Sequence, residues 1–383
     1  MTVPFEQEID MTVVDIAKNL LSYDTSGPPA KEKPLAKWIR DFLIELGIEA
    51  ELHEVEPDRA NVVAKIGEGK GRGLLLSGHI DTVLVGDHNL WTVTGPFDPV
   101  VKDGKVYGRG ASDMKGPCAS IIQAAKELRQ EKFKRQLTLV FTAGEDTGGW
   151  FVSRVLSDGK VTMDDARFGI VAEPSMLRVV RCHKGYAYAK VVVRGKSAHS
   201  SRPELGINAI IKGMDFLKEL TGLQEELKKT VHPLLGYTTI KPTLINGGFK
   251  PNIIPDRCEI TLNTRIIPGH ESMETVEGWL KETALRAFSG DDITEITVPR
   301  VRAPLNIPND SEIVQLLIGL LESEAVGVPY FSEAGDYAEA GIPTVLCGPG
   351  SIDQGHTANE FISVDQLERG VQVFKKVIKK VCL

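Results

Sequence analysis

The sequence predicts an α/β protein with a mostly parallel sheet, helices on both faces of that sheet, and a smaller inserted α+β domain. Apolar runs of strand length alternate with amphipathic stretches of helical spacing over most of the 383 residues. Near the middle, runs of strands surround helices instead of alternating with them. We therefore expect a discontinuous first domain, residues 1–178 and 292–383, interrupted by a second domain at residues 179–291.

Each element of the first domain follows from its spacing of apolar residues. Helices are predicted where apolar side chains recur every three or four positions, in segments 9–21, 35–46, 118–129 and 364–381. Strands are predicted where short runs are mostly apolar, in segments 73–80, 137–143, 168–172 and 342–347. Strands that alternate with helices in this way favour a parallel sheet buried on both sides.

The predicted elements of the inserted domain are a strand, a helix and two antiparallel strands. They occupy segments 187–194, 206–220, 238–245 and 258–266. Turn-rich sequence between the last two strands indicates a reversal of the chain. A glycine-rich stretch at residues 67–73 precedes a strand, whereas phosphate-binding loops follow a strand and open a helix, so we expect a hairpin turn there.

Composition and charge exclude several classes of protein. The formal net charge is -7 and no basic run is present, which argues against a nucleic-acid partner. No apolar stretch reaches the length of a membrane span, and the acidic start does not resemble a signal peptide. The five cysteines are scattered and odd in number, without a CxxC motif, so we expect a cytoplasmic protein with neither a disulfide framework nor a thiolate zinc site.

The first candidate functional phrase is His79-Ile80-Asp81, at the end of a predicted strand. The period of two along a strand places both polar side chains on one side. Asp81 could then accept a hydrogen bond from the ring nitrogen of His79 that faces away from a metal, which would fix the tautomer. A strand-end histidine beside a capping aspartate is the alternative interpretation.

Asp113 and Glu173 are the next two candidates. Asp113 follows a glycine-rich stretch and precedes a predicted helix, so it is either a helix N-cap or a carboxylate that bridges two metal ions. Glu173 ends an apolar strand, where a glutamate is unusual unless it is paired or coordinated.

Two further phrases complete the set. Glu145-Asp146 follows an apolar strand, and neighbouring side chains on an extended backbone diverge. One of these carboxylates can therefore bind a metal while the other takes a proton from metal-bound water. A solvated acidic loop is the alternative for this pair, and a surface-loop histidine is the alternative for His356.

These phrases together suit zinc, because neutral imidazole and carboxylate are ligands that it accepts. Two histidines and three carboxylates are too few for two separate sites, but they suffice for two ions if one carboxylate is shared. The sequence therefore predicts a paired-metal site and hydrolytic chemistry.

All five phrases occur in the order typical of one family. The chain resembles, nearly end to end, the dinuclear zinc amidohydrolases and exopeptidases that include acetylornithine deacetylase, succinyl-diaminopimelate desuccinylase, aminoacylase-1 and carboxypeptidase G. That resemblance implies two zinc ions, which cobalt can replace. It also implies a zinc exopeptidase-like fold.

The resemblance also assigns roles by position. His79, Asp113 and Glu173 would bind one ion, and Asp113, Asp146 and His356 the other. Asp81 would orient His79, and Glu145 would be the general base. In the family the peptide bond after the bridging aspartate is often cis, which here would be Asp113-Met114.

One departure concerns Asp146. The family usually has a glutamate here, and the aspartate is one methylene shorter. The loop could move inward to compensate, or the second site could bind its ion more weakly. A one-metal enzyme is therefore an alternative.

The inserted segment resembles the lid and dimerisation domain of the family. There a histidine helps to polarise the scissile carbonyl in the partner subunit's site, a role that His199 would take. Asn252 and Arg265 match residues that bind the substrate carboxylate. The family commonly has aspartate where this chain has Asn263. The resemblance thus implies a homodimer formed through this domain.

The phrases around residues 331–345 and 348–356 resemble the acetylornithine deacetylase branch, which implies a cytoplasmic deacetylase of arginine biosynthesis. The expected substrate is an N-acyl-amino acid, namely N2-acetylornithine or a near relative. The acidic side chains of Glu333 and Asp336 could face a cationic substrate side chain. Desuccinylase, dipeptidase and carboxypeptidase activities are the alternatives within the family, and a non-catalytic metal-binding member is the alternative of another class.

Overall fold

The chain divides into two units in the computed structural model, which describes residues 10–67, 72–288 and 295–383. The first unit contains the residues up to Arg181, then Ile307–Val326 and Ser332–Leu383. The second unit is formed by Cys182–Asn306 and Gly327–Phe331. The domains predicted from the sequence are residues 1–178 and 292–383 for the first and 179–291 for the second.

The limits of the second unit differ from the expected ones at its carboxyl end. The unit begins at Cys182, close to the expected position 179. The expected end at residue 291 lies outside the described residues. Beyond it, Glu295–Arg302 forms a strand that pairs with Gly185–Arg194, so the second unit continues past residue 291.

Both helices and strands build the first unit. Its helices are α1 Val13–Leu21, α2 Lys33–Glu45, α3 Lys115–Leu128, α4 Val152–Ser157, α7 Glu312–Leu321, α8 Ala334–Glu339 and α9 Val364–Cys382. Its strands are β1 Glu49–Glu56, β2 Arg59–Ile66, β3 Gly73–His79, β4 Val100–Lys102, β5 Lys105–Tyr107, β6 Leu137–Thr142, β7 Ala166–Pro174, β17 Thr344–Gly348 and β18 Phe361–Ser363. Strand β8, Val180–His183, leads into the second unit.

The central sheet of the first unit has the strand order β1-β2-β6-β3-β7-β17. Strands β6, β3, β7 and β17 run parallel to one another, whereas β1 and β2 form an antiparallel edge. The four parallel strands are the four apolar runs of the sequence, so the prediction of a mostly parallel sheet is confirmed. Their carboxyl ends lie at one edge of the sheet, which is where ligands bind in open α/β sheets.

Helices cover both faces of this sheet, as two neighbouring residues of β3 indicate. Ser77 points to one face, where its hydroxyl lies 3.0 Å from the hydroxyl of Tyr337 in α8. Gly78 points to the other face, where a Cβ atom would lie 2.7 Å from the side chain of Met114 and 2.8 Å from that of Cys118 in α3. Only glycine leaves room for α3 to pack this closely against the strand.

The described part of the second unit is an antiparallel sheet with two helices. Its helices are α5 Ala209–Leu227 and α6 Met273–Ala287, and its strands are β9 Gly185–Arg194, β10 Ala198–His199, β11 Thr239–Gly247, β12 Ile253–Ile254, β13 Arg257–Ile266, β14 Glu295–Arg302 and β15 Leu305–Asn306. Strand β16, Val326–Val328, spans the boundary. The sheet order is β11-β13-β9-β14, and β10 pairs with β12. Buried side chains such as Val191, Phe216, Ile260 and Leu280 join the helices to the sheet.

Two remaining expectations concern the whole chain. Within the described residues, no helix combines the length and the apolar character that crossing a membrane would require. The hairpin turn expected at residues 67–73 falls largely on residues 68–71, which lie outside the described part of the chain.

Candidate metal centre

The four parallel strands bring the predicted polar side chains of the first unit to one edge of the sheet. His79 is the last residue of β3, and Glu173 is the penultimate residue of β7. The loop after β6 carries Glu145 and Asp146, and the loop after β17 leads to His356. Because β6, β3, β7 and β17 are neighbours in that order, residues distant in sequence meet at this edge.

Asp113 lies between the two histidines. Its Oδ1 is 3.2 Å from Nε2 of His79, and its Oδ2 is 3.2 Å from Nε2 of His356. The same nitrogen of His356 is 3.2 Å from Oδ1 of Asp146. One carboxylate thus presents a different oxygen to each imidazole, which is the arrangement that a bridging ligand requires.

The side chains form two groups of three that share Asp113. In the group His79, Asp113 and Glu173, and in the group Asp113, Asp146 and His356, one ligand atom from each residue lies within 4.8 Å of the others. Glu145 forms a third such group with His79 and Asp146. These spacings allow a cation to be held by each of the first two groups, with Glu145 beside them.

The electrostatics of this cluster also call for cations. Burial raises the pKa of Glu145 and of Glu173 well above the usual value, and neighbouring carboxylates raise both further. Hydrogen bonds to Asp113 and Asp146 raise the pKa of His356 to about 10. Four carboxyl groups thus share little positive charge, which a divalent metal ion would supply.

One oxygen atom provides a separate test of the fit. Oδ2 of Asp146 is buried and has no hydrogen-bond partner among the described residues. A buried carboxylate oxygen without a partner is costly, and coordination to a metal removes that cost. The imidazole and carboxylate donors therefore fit a divalent metal in number and type.

Asp81 contacts His79 differently from the sequence expectation. The main-chain oxygen of Asp81, at 3.1 Å, is the partner of Nδ1 of His79, whereas the nearer carboxylate oxygen is 3.6 Å away. The carboxylate accepts hydrogen bonds from the backbone nitrogens of Glu145, at 3.1 Å, and Thr147, at 2.8 Å. It also accepts one from the hydroxyl of Thr147, at 2.8 Å. Asp81 therefore holds the loop that carries Glu145.

Glu360 supports the loop that carries Asp113. Its carboxylate accepts hydrogen bonds from the backbone nitrogens of Gly110 at 3.1 Å, Ser112 at 2.9 Å and Asp113 at 3.0 Å. It also pairs with Arg109, whose Nη1 is 2.7 Å away, and both side chains are buried. The peptide bond Asp113-Met114 that follows is cis, as the resemblance suggested.

Three predicted site residues lie in the second unit, namely His199, Asn252 and Arg265. His199 and Asn252 are close, because the backbone nitrogen of Ser200 donates to the main-chain oxygen of Asn252 at 3.0 Å. Arg265 lies on β13, with its guanidinium 5.7 Å from the ring centroid of Tyr186. Both His199 and Asn252 are exposed, whereas Arg265 is half-buried.

The tautomer of His199 follows from its neighbours. The backbone nitrogen of Ser201 donates to Nδ1 at 3.1 Å, so Nδ1 carries no proton. The proton of the neutral ring is therefore on Nε2, which makes that atom a hydrogen-bond donor.

The expectation that Glu333 faces a substrate is not supported by its surroundings. The side chain is 1% exposed, and Oε2 accepts a hydrogen bond from Thr142 at 2.6 Å. Helix α8 begins directly after Glu333 and contacts β7 and β17. The carboxylate is therefore buried inside the first unit. Asp336 is half-buried.

Sequence reasoning missed several residues that support this site. Glu360, Arg109, Thr147 and Arg59 are not singled out by any local pattern, because their partners lie far away in the chain. Only the position of Glu360, four residues after His356, could have drawn attention to it.

Comparison with known proteins agrees with this geometry. The model of the peptidase family M20/M25/M40 matches residues 75–380. The acetylornithine deacetylase of Vibrio atlanticus (strain LGP32) is 34% identical over 371 residues, which are 94% of this chain and 93% of that protein. The acetylornithine deacetylase of Proteus mirabilis (strain HI4320) is 33% identical over 376 residues, 96% of this chain and 95% of that protein.

Solved structures share the fold. The M20 family metallo-carboxypeptidase of Sulfolobus solfataricus has a TM-score of 0.78 at 19% identity, over 96% of this chain and 99% of that chain. A dinuclear metal-binding M20 peptidase of Bacillus subtilis has a TM-score of 0.69 at 19% identity, over 97% and 98% of the two chains. The resemblance inferred from the five sequence phrases is confirmed. The chain belongs to peptidase family M20/M25/M40 and is a metal-dependent amide hydrolase.

Proposed function

We propose that the chain is a zinc-dependent deacylase of N-acyl-amino acids whose preferred substrate is N2-acetylornithine. The observation that carries the proposal is the position of Asp113, whose two oxygens each lie 3.2 Å from a different imidazole. Such a carboxylate can hold two cations side by side, which is the arrangement of two-metal hydrolases.

The proposed ligands follow from the two groups around Asp113. His79 and Glu173 would hold the first zinc ion with Asp113, and Asp146 and His356 the second. Imidazole nitrogen and carboxylate oxygen are ligands of zinc, and cobalt accepts the same donors. The distance of 3.2 Å between Asp146 Oδ1 and His356 Nε2 supports two ions over one, despite the shorter side chain.

Glu145 is the proposed general base. When bound, the metal ions would acidify a water molecule and polarise the amide carbonyl. The carboxylate of Glu145 lies beside both groups, and burial raises its pKa, which suits a group that accepts a proton near neutral pH. Glu145 would take the proton from the water and then deliver it to the leaving amine. Asp81 would hold Glu145 in place through its backbone nitrogen.

Residues of the second unit would complete substrate recognition. We propose that Nε2–H of His199 donates to the carbonyl oxygen as negative charge develops there, a role that the tautomer set by Ser201 supports. Asn252 and Arg265 would bind the substrate carboxylate, for which the planar guanidinium is suited.

An exposed apolar surface on the second unit supports a homodimer. Strand β11 is an edge strand of the sheet in the described part of the chain, and most of its residues are exposed. Large apolar side chains are at least 43% exposed on this strand and nearby, namely Ile207, Ile211, Met214, Leu244, Ile245 and Phe249. An apolar edge strand of this kind is suited to pairing with a second copy. In such a dimer, His199 would act in the site of the partner subunit.

Two further assignments accompany the proposed substrate. The relatives described above are named acetylornithine deacetylases, which supports a role in arginine biosynthesis. All five cysteines are free and buried, which supports a reducing compartment such as the cytoplasm.

A hydrolysis panel tests the proposal. The protein, loaded with zinc or with cobalt, would be incubated with N2-acetylornithine, N-succinyl-diaminopimelate and simple dipeptides, and kcat/KM compared. We expect the highest value for N2-acetylornithine. A preference for the succinyl compound would indicate a desuccinylase, and a preference for dipeptides a peptidase. A metal-loaded protein that hydrolyses none of these amides would contradict the proposed activity.

A further inference from the structure

We propose that Arg59 is a positioning residue that fixes the loop at residues 143–151 so that Glu145 and Asp146 face the metal pair. The inference rests on the proposed roles of Glu145 as base and Asp146 as metal ligand. Arg59 touches neither of these side chains. It acts through Thr147 and Gly148, which follow them in the loop.

The loop needs external support because its own sequence provides little. Residues 143–151 lie between β6 and α4, outside any helix or strand. Gly144, Gly148 and Gly149 have φ angles of 83°, 78° and 110°, in the region that favours glycine. Backbone hydrogen bonds within the loop join its two ends, from Trp150 to Gly144 at 3.0 Å and from Phe151 to Ala143 at 3.4 Å. Glycines cost more conformational entropy to order than other residues, so contacts from outside the loop help to hold its centre.

A chain of charged and polar contacts provides this support. Arg59 pairs with the fully buried carboxylate of Glu32, with Nη2 and Oε1 2.5 Å apart. The same Nη2 atom donates to the hydroxyl of Thr147, also at 2.5 Å. That hydroxyl donates to Asp81 at 2.8 Å, and Asp81 accepts from the backbone nitrogen of Glu145. The contacts therefore run from Glu32 to the backbone of the proposed base.

Arg59 also holds the loop at two other points. Its Nη1 atom donates to the main-chain oxygen of Gly148 at 3.0 Å. Its guanidinium lies 4.7 Å from the ring centroid of Phe151, near the end of the loop. A planar fork with several donors can make these contacts at once, whereas the single ammonium group of a lysine cannot.

Asn61, on the same strand as Arg59, also holds this loop. It lies two positions after Arg59 on β2, so the two side chains project from one face. Its Oδ1 accepts from the backbone nitrogen of Ala143 at 2.8 Å, and its Nδ2 donates to the main-chain oxygen of Phe151 at 3.2 Å. Strand β2 thus holds both ends of the loop through Asn61 and its centre through Arg59.

The position of this loop matters because of Asp146. An aspartate reaches less far than the glutamate common in the family, so its approach to His356, at 3.2 Å, depends on where the backbone lies. Buried ion pairs such as Arg59–Glu32 contribute little net stability compared with apolar residues, which favours a positional role for this one.

Four variants and one control test the inference. Thr147→Val removes the hydroxyl between Arg59 and Asp81 while keeping the shape of the side chain, and Thr147→Ser keeps the hydroxyl. Arg59→Gln removes the charge, and Arg59→Lys keeps it without the fork. The control is Lys65→Gln, which breaks the pair between Lys65 and Asp165, 2.7 Å apart, on the same strand but away from the loop.

Each variant would be measured in three ways. Equilibrium dialysis of the metal-free protein against Co²⁺ gives the affinities of the first and second equivalents. Steady-state kinetics with the best substrate of the panel give kcat and KM separately. Urea unfolding reports stability, and Thr147→Val keeps the test valid if Arg59→Gln does not fold, since it leaves the buried pair intact.

We expect Thr147→Val and Arg59→Gln to weaken the second Co²⁺ equivalent and to lower kcat, each by roughly 10-fold to 100-fold. KM and the first Co²⁺ equivalent should change less. The kcat and second-site Co²⁺ affinity of Arg59→Lys should lie between those of Arg59→Gln and the native protein. Thr147→Ser should keep most of the native kcat and affinity, because it keeps the hydroxyl. Lys65→Gln should match the native protein in both quantities.

The inference would be overturned if Thr147→Val and Arg59→Gln, or Thr147→Val alone where Arg59→Gln does not fold, bound both Co²⁺ equivalents normally and kept the native kcat. Arg59 would then have a purely structural role, visible only in unfolding. Failure of the proposed function is a different result. It would appear as a native protein without hydrolysis or as full turnover in Glu145→Ala, and neither affects the cobalt measurement.

Discussion

The chemistry of the site depends on how single carboxylates are shared. Asp113 presents one oxygen to His79 and the other to His356, so it belongs to both groups of ligands. Asp81 likewise joins two parts of the site, because its main-chain oxygen contacts His79 and its carboxylate accepts hydrogen bonds from the loop of Glu145. At the residue scale, positions that are distant in sequence are therefore coupled through individual acidic side chains.

Replacement of the proposed base tests its role directly. Glu145→Ala should lower kcat by roughly 10²-fold to 10⁴-fold, because the water would lose its proton acceptor. Metal content, measured by inductively coupled plasma mass spectrometry, should stay at the native value, since both proposed ligand groups remain. Normal turnover in a fully loaded Glu145→Ala protein would remove Glu145 from this role.

Glu333 predicts a dependence of stability on pH. Burial raises the pKa of this carboxyl group from 4.5 to about 8, so the folded protein retains the proton over a range where the unfolded chain has lost it. Stability should therefore fall as the pH rises from about 4.5 to about 8. Glu333→Gln should remove this loss and be more stable than the native protein at pH 9, by about 3–5 kcal/mol at about 1.4 kcal/mol per pKa unit.

Urea unfolding of the metal-free protein at pH 5 and pH 9 measures this effect. Removing the metal avoids any contribution from bound cations. An equal stability difference between Glu333→Gln and the native protein at both pH values would show that Glu333 does not titrate between them.

The proposed ligands and the residues that support them differ in how far sequence could predict them. Glu173 ends an apolar strand, where a glutamate is unusual, and His79 and Asp113 stand at a strand end and after a glycine-rich stretch in phrases that resemble those of the family. Arg59 and Glu360 are ordinary charged residues in sequence. Their partners lie 88 positions away at Thr147 and 247 positions away at Asp113, so only the folded chain identifies them.

Whole elements could be predicted from the sequence where nearly all of their residues are buried alike. The four parallel strands are almost wholly buried, so each is a mostly apolar run that shows no helical periodicity. Strand β1 was not predicted, because it is an edge strand in which only one residue is fully buried and charged residues are frequent. Strand β14 was not included in the inserted domain, because its exposed residues hide its pairing with β9.

Because β11 has an exposed apolar edge, we expect that one charged substitution on it would separate the proposed dimer. Leu244 is 68% exposed on this edge, and Leu244→Lys should separate the proposed dimer into monomers by placing a charge in the interface. Size-exclusion chromatography with light scattering measures the change. The matched control is Leu285→Lys on α6, where the leucine is 63% exposed but lies off the edge strand. A native protein that is already monomeric would contradict the proposed homodimer.

At the scale of the whole molecule, the metal pair would join two distant parts of the first unit. The proposed ligands come from segments before and after the inserted unit, with His79 at one end of the series and His356 at the other. Bound metal stabilises the folded state by mass action, by about 2.7 kcal/mol at a free concentration one hundred times Kd. Chelation should therefore lower the melting temperature, and zinc or cobalt should restore it.

Differential scanning calorimetry with and without chelator measures that shift. Asp113→Asn offers a comparison, because weakening the shared carboxylate should reduce the effect of added metal. A melting temperature that chelator does not change in a protein shown to contain metal would argue against ligands from both segments.

The most direct test of the account is a crystal structure of the zinc-loaded protein with anomalous data at the zinc edge. We expect two peaks beside Asp113, one shared with His79 and Glu173, the other with Asp146 and His356. A single peak that lacked Asp113 as a ligand, or zinc bound elsewhere while the two imidazoles pointed away from each other, would contradict it.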